Sequence, residues 1–206
     1  MTRADDVRAR ALGELQRSGV LMLSGHFDYG NGYHGRTYLN PHQLLRQPST
    51  IWRLAQDLLD LVPIEMASAT EVVAGPATGG ALLAHTIAGL LDSRRSLTHP
   101  PCSFAPFELD ASGQVTLRSF YRNLVCGRRV LLADDVRNTG QTLARAATVV
   151  REAGGAVLGA VVICDRKAGI VDIGAPIVPL VEYAASGNYP AAECPLCRAG
   201  TPVTSF

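Results

Sequence analysis

The stretch Val130-Leu131-Leu132-Ala133-Asp134-Asp135-Val136-Arg137-Asn138-Thr139-Gly140-Gln141-Thr142 runs from apolar residues into two adjacent carboxylates and then a polar, glycine-containing segment. As a buried parallel strand, the apolar run delivers Asp134 and Asp135 to a C-terminal sheet edge, where open α/β sheets bind their ligands. The residues that follow offer hydroxyls, a glycine and unpaired backbone N–H groups at the start of a helix, which are the groups that hold a phosphate. Carboxylates do not bind phosphate themselves, but they accept hydrogen bonds from sugar hydroxyls or face a hydrated Mg²⁺. One segment thus suits a sugar phosphate. A plain strand–turn–helix with aspartate as the N-cap would need one acid, not two.

Three further groups carry chemistry. Gly75-Pro76-Ala77-Thr78-Gly79-Gly80 lies between a short apolar strand and a helix, and its glycines let backbone approach an anion closely. Val161-Val162-Ile163-Cys164-Asp165-Arg166 is an apolar strand ending in an acid and a guanidinium, and a planar guanidinium pairs a carboxylate through two parallel hydrogen bonds. Cys194 and Cys197 have the spacing of half a zinc site with no second pair after them. Either two such segments meet across a dimer to complete four ligands, or the thiols are a reduced structural pair. His26, His34, His42, His85 and His99 share no metal-ligand spacing along the chain.

The 130–142 run resembles the phosphoribosyl-pyrophosphate (PRPP) signature of type I phosphoribosyltransferases, in which apolar strand residues precede two acids, a small apolar residue and a Thr-Gly loop. The resemblance implies that Asp134 and Asp135 hold the ribose hydroxyls. It implies that Val136, Arg137, Asn138, Thr139, Gly140, Gln141 and Thr142 surround the 5′-phosphate, with Asn138 where Thr or Ala is more usual. Gly75, Pro76, Ala77, Thr78, Gly79 and Gly80 are similar to the pyrophosphate loop of orotate phosphoribosyltransferases. In that group the strand corresponding to 161–166 ends in an arginine that contacts the orotate carboxylate, a role that falls to Arg166. The segment Gly25-His26-Phe27 through Tyr38-Leu39-Asn40 is similar to the small hood over the base, which puts Phe27 and Tyr38 beside it. Cys194-Pro195-Leu196-Cys197 with Gly200 and Pro202 resembles the tail of one bacterial subgroup. The likeness spans Gly19 to Pro202.

The fold so implied is α/β, a parallel sheet flanked by helices with a small N-terminal hood. It forms one domain over 1–206, with the hood at 19–45, the core sheet at 64–184 and a tail at 185–206. The implied activity is Mg²⁺-dependent transfer of the 5-phosphoribosyl group of PRPP to a nitrogen base, orotate first, in pyrimidine biosynthesis. A phosphoribosyltransferase for another base and a PRPP-binding regulatory protein without turnover are the alternatives. The resemblance also implies a homodimer, since the loop of one subunit usually closes over the other's site, and the odd number of scattered cysteines reads as the reduced thiols of a cytoplasmic protein. Three departures bear on this. Gly30 stands where the hood usually has Lys or Arg, and Gly35 where it has Ser. The loop corresponding to 106–121 contains no lysine, leaving Arg118 as the cation that could stabilise departing pyrophosphate.

The elements that must position these residues follow from periodicity. Val7, Ala11, Leu12 and Leu15 predict a helix over 3–17 that ends at Gly19. Between 20 and 40 the apolar pieces are short and broken by glycines, as in an irregular hairpin region. Pro48 opens a helix whose apolar face is Ile51, Leu54, Ala55, Leu58 and Leu59, stopped by Pro63. Strands and helices then alternate. Strands are predicted at 71–74, 102–105, 115–118, 129–133, 156–164 and 177–183, and helices at 81–91 and 141–153. Gly75–Gly80, Asp134–Gly140 and the turn Asp110–Gly113 form the connections, and the chain from Ala185 is loop-like. Such alternation implies a parallel sheet covered by helices on both faces.

Composition excludes several classes. At 206 residues, 47% apolar and 18% charged, the chain buries a core without disulfide or metal staples and is not intrinsically disordered. Nineteen basic against eighteen acidic residues give a formal charge of +1, which offers no basis for a nucleic-acid or membrane-surface partner. Lys167 is the sole lysine, so no mechanism can use a lysine elsewhere. The first ten residues carry alternating charges instead of the apolar region of a signal peptide, and no apolar run approaches the length of a membrane span. Five scattered cysteines do not form a disulfide framework.

Overall fold

The structure, a computed structural model, describes residues 2–205 apart from 23, 30, 31, 41, 42, 45, 78, 97, 111, 168–170 and 184–186. Helix α1 (Arg3–Arg17) begins at a capping box. The Thr2 hydroxyl accepts the Asp5 N–H at 3.2 Å, and the Asp5 carboxylate accepts the Thr2 N–H at 2.8 Å. Val7, Ala11 and Leu15, four residues apart, form its buried stripe. Helix α2 (Pro48–Leu59) has proline in its first turn, where the missing N–H costs nothing, and buries the predicted face. A short helix α3 (Ile64–Ala69), which its single turn or so of sequence did not signal, precedes the sheet.

The main sheet has the order β10-β9-β8-β5-β6-β7, with β5 (Val72–Pro76), β6 (Ser103–Leu109), β7 (Val115–Thr116), β8 (Arg129–Arg137), β9 (Ala156–Asp165) and β10 (Ile177–Glu182). All neighbours pair in parallel except β6 and β7, whose antiparallel pairing forms the edge. The connecting helices α4 (Gly80–Ser93), α5 (Ser119–Val125) and α6 (Gln141–Glu152) complete the layers. Alternation along β8 divides the core. Leu131 and Ala133 join Val73, Val161 and Ile163 under α1, α2 and α4, whereas Val130 and Leu132 join Val72, Ala74 and Val162 under α6. Burying a side chain such as Leu131 or Leu132 contributes about 1.5–3 kcal/mol, so both faces are strongly fixed. No described helix is long and apolar enough to cross a membrane.

Several boundaries differ from the sequence reading. Strand β8 does not stop at Ala133. Asp134, Val136 and Arg137 pair with Val162, Cys164 and Asp165, so the first half of the predicted polar loop is extended and only 138–140 turn. Likewise β5 runs through Gly75 and Pro76, held by Pro106 and Phe107, so the first two residues of the predicted turn are extended. Strand β6 is longer than predicted, and β7 ends at Thr116 because α5 begins at Ser119.

The hood consists of two small sheets. Strand β1 (Leu21–Met22) pairs with β4 (Tyr38–Leu39), and β2 (Phe27–Asp28) with β3 (Tyr33–Gly35). The C-terminal segment is not a loop. Strand β11 (Asn188–Pro190) adds to β3, with Tyr189 opposite His34, and a last helical turn, α7 (Pro195–Arg198), follows.

Candidate active site

The C-terminal ends of β5, β8 and β9 meet at one edge of the sheet. Successive strand residues face opposite ways, so the two aspartates serve different neighbours. Asp134 turns toward the start of α6 and lines a small pocket with Val136, Asn138, Thr139, Gly140 and Thr142. Asp135 turns toward the glycine-rich turn, where a Cβ on Gly79 would lie 2.8 Å from its carboxylate oxygen. Only a residue without a side chain lets that backbone sit on Asp135. Gly80 is constrained harder, because a Cβ there would be 2.6 Å from the Ala133 carbonyl oxygen. The glycines therefore bring β5 against β8 as much as they open room for an anion. Thr78 lies outside the described residues.

Asp134 is 6% exposed, and its Oδ1 accepts the Asp135 N–H at 2.9 Å. Burial, reinforced by the neighbouring Asp135 charge, pushes its carboxyl well above the ordinary carboxylate range. Asp135 is half-buried, and its Oδ1 accepts the Val136 N–H at 2.7 Å. Gly140 has φ +83°, the left-handed conformation that starts α6 and leaves that helix's first N–H groups facing the pocket. Arg137 departs from a simple phosphate-lining role. Its Nη1 donates to Asp165 Oδ2 at 3.0 Å in a nearly buried ion pair. Its Nε is buried without a hydrogen-bond partner among the described residues, and it lies 3.1 Å from where a Gly140 Cβ would be. An orphaned cationic donor behind a phosphate-sized pocket favours an anion there. Cys164, beneath this edge, is pushed up to about 12 by burial, so it is an inert thiol and not a nucleophile.

A second cavity, of about 470 Å³, opens beside the first and shares Asn138 with it. Tyr29, Tyr33, Tyr38, Leu39, Arg166 and Asn188 complete its wall. The Arg166 guanidinium stands 5.8 Å over the Tyr29 ring, and the Tyr29 and Tyr38 rings are stacked at 6.4 Å. Arg166 is the one permanent cation among the described lining residues. Tyr38 and Arg166, both expected beside the base, line this cavity. Phe27 does not: it is buried against Tyr38, at 5.7 Å between ring centroids, and supports the wall from behind. Tyr29, Tyr33, Leu39 and Asn188 were not identified from sequence, because strands of two or three residues have no readable period.

The Gly35 departure has a structural counterpart. A Cβ at 35 would fall 2.0 Å from the Tyr29 hydroxyl, so the tyrosine fills the space a serine would use. That hydroxyl donates to the Thr37 carbonyl at 2.7 Å, and burial raises its pKa, offset in part by Arg166.

The structure does not bring Arg118 to either cavity. Its Nε donates to Glu108 Oε1 at 2.7 Å across the β6–β7 hairpin. The hairpin's turn is in turn held on α6, where Arg145 donates to the carbonyls of Ser112 (3.2 Å) and Gly113. Lys167 is tied to Glu182 at 2.6 Å.

Residues 43–183 match the family model of the phosphoribosyl transferase domain. The chain belongs to the type I phosphoribosyltransferase family. Among curated phosphoribosyltransferases, it is 34% identical over 202 residues to the orotate phosphoribosyltransferase of Acidithiobacillus ferrooxidans, covering 97% of this chain and 95% of that one. Its fold is similar to the crystal structure of orotate phosphoribosyltransferase from Aeropyrum pernix, with a TM-score of 0.64 and 24% identity over 84% of this chain and 92% of that one. It is also similar to the Mycobacterium tuberculosis H37Rv orotate phosphoribosyltransferase in complex with PRPP, with a TM-score of 0.55 and 17% identity over 87% and 90% of the two chains.

Proposed function

We propose that this phosphoribosyltransferase transfers the 5-phosphoribosyl group of PRPP to orotate, giving orotidine 5′-monophosphate and pyrophosphate. The observation that carries this reading is the pair of cavities joined at Asn138, one built for a phosphate and the other an aromatic cleft with Arg166 as its cation. A ribose bridging them lies against Asp134. In this reading the N–H groups at the start of α6, the Thr139 and Thr142 hydroxyls and Arg137 Nε hold the 5′-phosphate. Asp134 and Asp135 accept hydrogen bonds from the ribose hydroxyls, and the 75–80 turn presents N–H groups to the pyrophosphate. Arg166 pairs the orotate carboxylate while Tyr29 and Tyr38 flank the ring. Orotate enters with its ring N1 deprotonated, its proton having gone to solvent. The C1′–N1 bond forms as the C1′–O bond to pyrophosphate breaks, and the electron pair leaves with pyrophosphate. Positive charge on the ribose in the transition state is stabilised by the Asp135 carboxylate.

The donor set at this edge is carboxylate oxygen, which Mg²⁺ accepts while retaining several waters. Asp135, the more exposed of the two acids, would hold the ion together with the substrate phosphates. The ion would supply positive charge to the leaving pyrophosphate. Arg118 would exchange Glu108 for pyrophosphate when the hairpin closes. An exposed pair is worth less than about 1 kcal/mol, so releasing it costs little.

Steady-state kinetics of Arg166→Ala test the base assignment. Loss of a charge-assisted pair worth about 1.5–3 kcal/mol raises the KM for orotate about 10- to 150-fold. The PRPP dissociation constant stays unchanged. An orotate KM equal to that of the parent protein rejects the role of Arg166.

A further inference from the structure

The face of the hood away from the cleft meets the C-terminal segment at a cluster that phosphoribosyl transfer does not use. His26, His34, Cys194 and Cys197 place four ligating atoms within 4.8 Å of one another. His26 Nε2 is 3.2 Å from His34 Nδ1, 3.5 Å from Cys194 Sγ and 3.7 Å from Cys197 Sγ. Cys197 Sγ is 3.3 Å from His34 Nδ1. A tetrahedral zinc ion with Zn–N near 2.0–2.1 Å and Zn–S near 2.3 Å requires edges of about 3.3 Å between nitrogens and about 3.5–3.6 Å between nitrogen and sulfur. All four distances agree with those edges to within a few tenths of an ångström.

The surroundings match as well. His26 Nδ1 lies 2.8 Å from the Thr201 carbonyl oxygen, which can only accept. Nδ1 therefore carries the proton, and Nε2 presents its lone pair to the cluster. His34 Nε2 faces the Asp28 carboxylate at 3.9 Å on the side away from the thiols. Ligating histidines are oriented by such a carbonyl or carboxylate on the far nitrogen. His26 and Cys194 are buried, whereas Cys197 is exposed and leaves a route for an ion. Two thiolates and two neutral imidazoles balance a divalent charge, which favours Zn²⁺ over the harder Mg²⁺.

We propose that His26, His34, Cys194 and Cys197 bind one Zn²⁺ per chain in a closed, structural site that fastens the C-terminal segment to the base-binding hood. Binding breaks two S–H bonds, releases both protons to solvent and forms two Zn–S bonds, with no change of oxidation state. The histidines complete within one chain the half site that the Cys194–Cys197 spacing suggested, so no second chain is needed. The ion would also act on the cleft. His34 sits between Tyr33, which lines it, and Gly35, which leaves room for Tyr29, and β3 carries β11 with Asn188.

The test is metal analysis of the untagged full-length protein, purified without chelator under reducing conditions. The expected result is about one zinc per chain, released by a mercurial thiol reagent and replaceable by Co²⁺ with the visible bands of a tetrahedral two-thiolate site. Cys197→Ser, at an exposed position, should lose the zinc and raise the KM for orotate without altering PRPP binding. That kinetic arm rests on the proposed function, but the stoichiometry does not. Folded parent protein that holds under about a tenth of an equivalent, both as purified and after incubation with zinc chloride, overturns the site. About half an equivalent per chain would also overturn it, in favour of a site shared between two chains.

Discussion

Replacing Asp134 by Asn separates what this carboxylate does for the ligand from what it does to the fold. The side chain is 6% exposed, sits beside a second acid and accepts the Asp135 N–H. An asparagine carbonyl can accept that same hydrogen bond, so the substitution removes the charge while keeping the shape. Because burial and then Asp135 raise the folded-state pKa, the unfolded chain gives up this proton at lower pH than the folded one does. Stability from this group is fully present below the ordinary carboxylate value and is lost as pH rises through the folded value. Above that range the wild-type protein carries a desolvation penalty of about 1–3 kcal/mol that the variant lacks. For a chain of this length each kcal/mol moves Tm by about 2–4 °C. Asp134→Asn should therefore melt about 2–12 °C above the parent at pH 8, and the gap should close as pH falls toward 4. It should also bind PRPP about 10- to 150-fold more weakly, the loss of one charge-assisted hydrogen bond. Calorimetry of both proteins across that pH range, with PRPP titrations at pH 8, checks each half. A variant no more stable than the parent at pH 8 would show that the buried charge costs the fold nothing, and unchanged PRPP affinity would show that Asp134 does not hold the ribose.

The two neighbouring glycines should respond differently to a methyl group. In Gly79→Ala the new Cβ meets the movable Asp135 carboxylate, so PRPP affinity should fall about tenfold with little change in Tm. In Gly80→Ala it meets the Ala133 backbone and should cost about 1–3 kcal/mol by denaturant titration. Asp165→Ala leaves the nearly buried Arg137 guanidinium uncompensated and should cost about 3–5 kcal/mol by the same measurement. Arg118→Ala should lower kcat by about 10²–10³ while leaving PRPP binding intact, and wild-type turnover would assign leaving-group stabilisation to the 75–80 turn and the metal.

What the sequence made legible follows the length scale of the signal. Apolar runs such as Val130–Ala133 and helical faces such as Ile51 to Leu59 span enough residues to show their period, and the layers they imply are those observed. Asp134 to Arg137 read as loop because they are polar, yet pairing with β9 keeps them extended, a non-local effect that composition cannot register. The hood is illegible for the same reason. Its strands of two or three residues are stabilised by β11, about 150 residues later in the chain, as tertiary contacts override weak local preference. Likewise, the spacing of Cys194 and Cys197 showed only half of a metal site, because the fold and not the spacing brings His26 and His34 to them. Arg118 shows the converse. The sequence identified the loop's cation, but the register of the hairpin decides which acid holds it, and that acid is Glu108.

Incubation of the purified protein with PRPP, Mg²⁺ and, separately, orotate, uracil, adenine and hypoxanthine, with pyrophosphate release followed, shows which base is the acceptor. Turnover with orotate is expected on the order of 1–10³ s⁻¹, with poor use of uracil, which lacks the carboxylate for Arg166, and none of the purines. Efficient use of a purine with none of orotate would contradict the base assignment, and tight PRPP binding without turnover of any base would contradict catalysis itself.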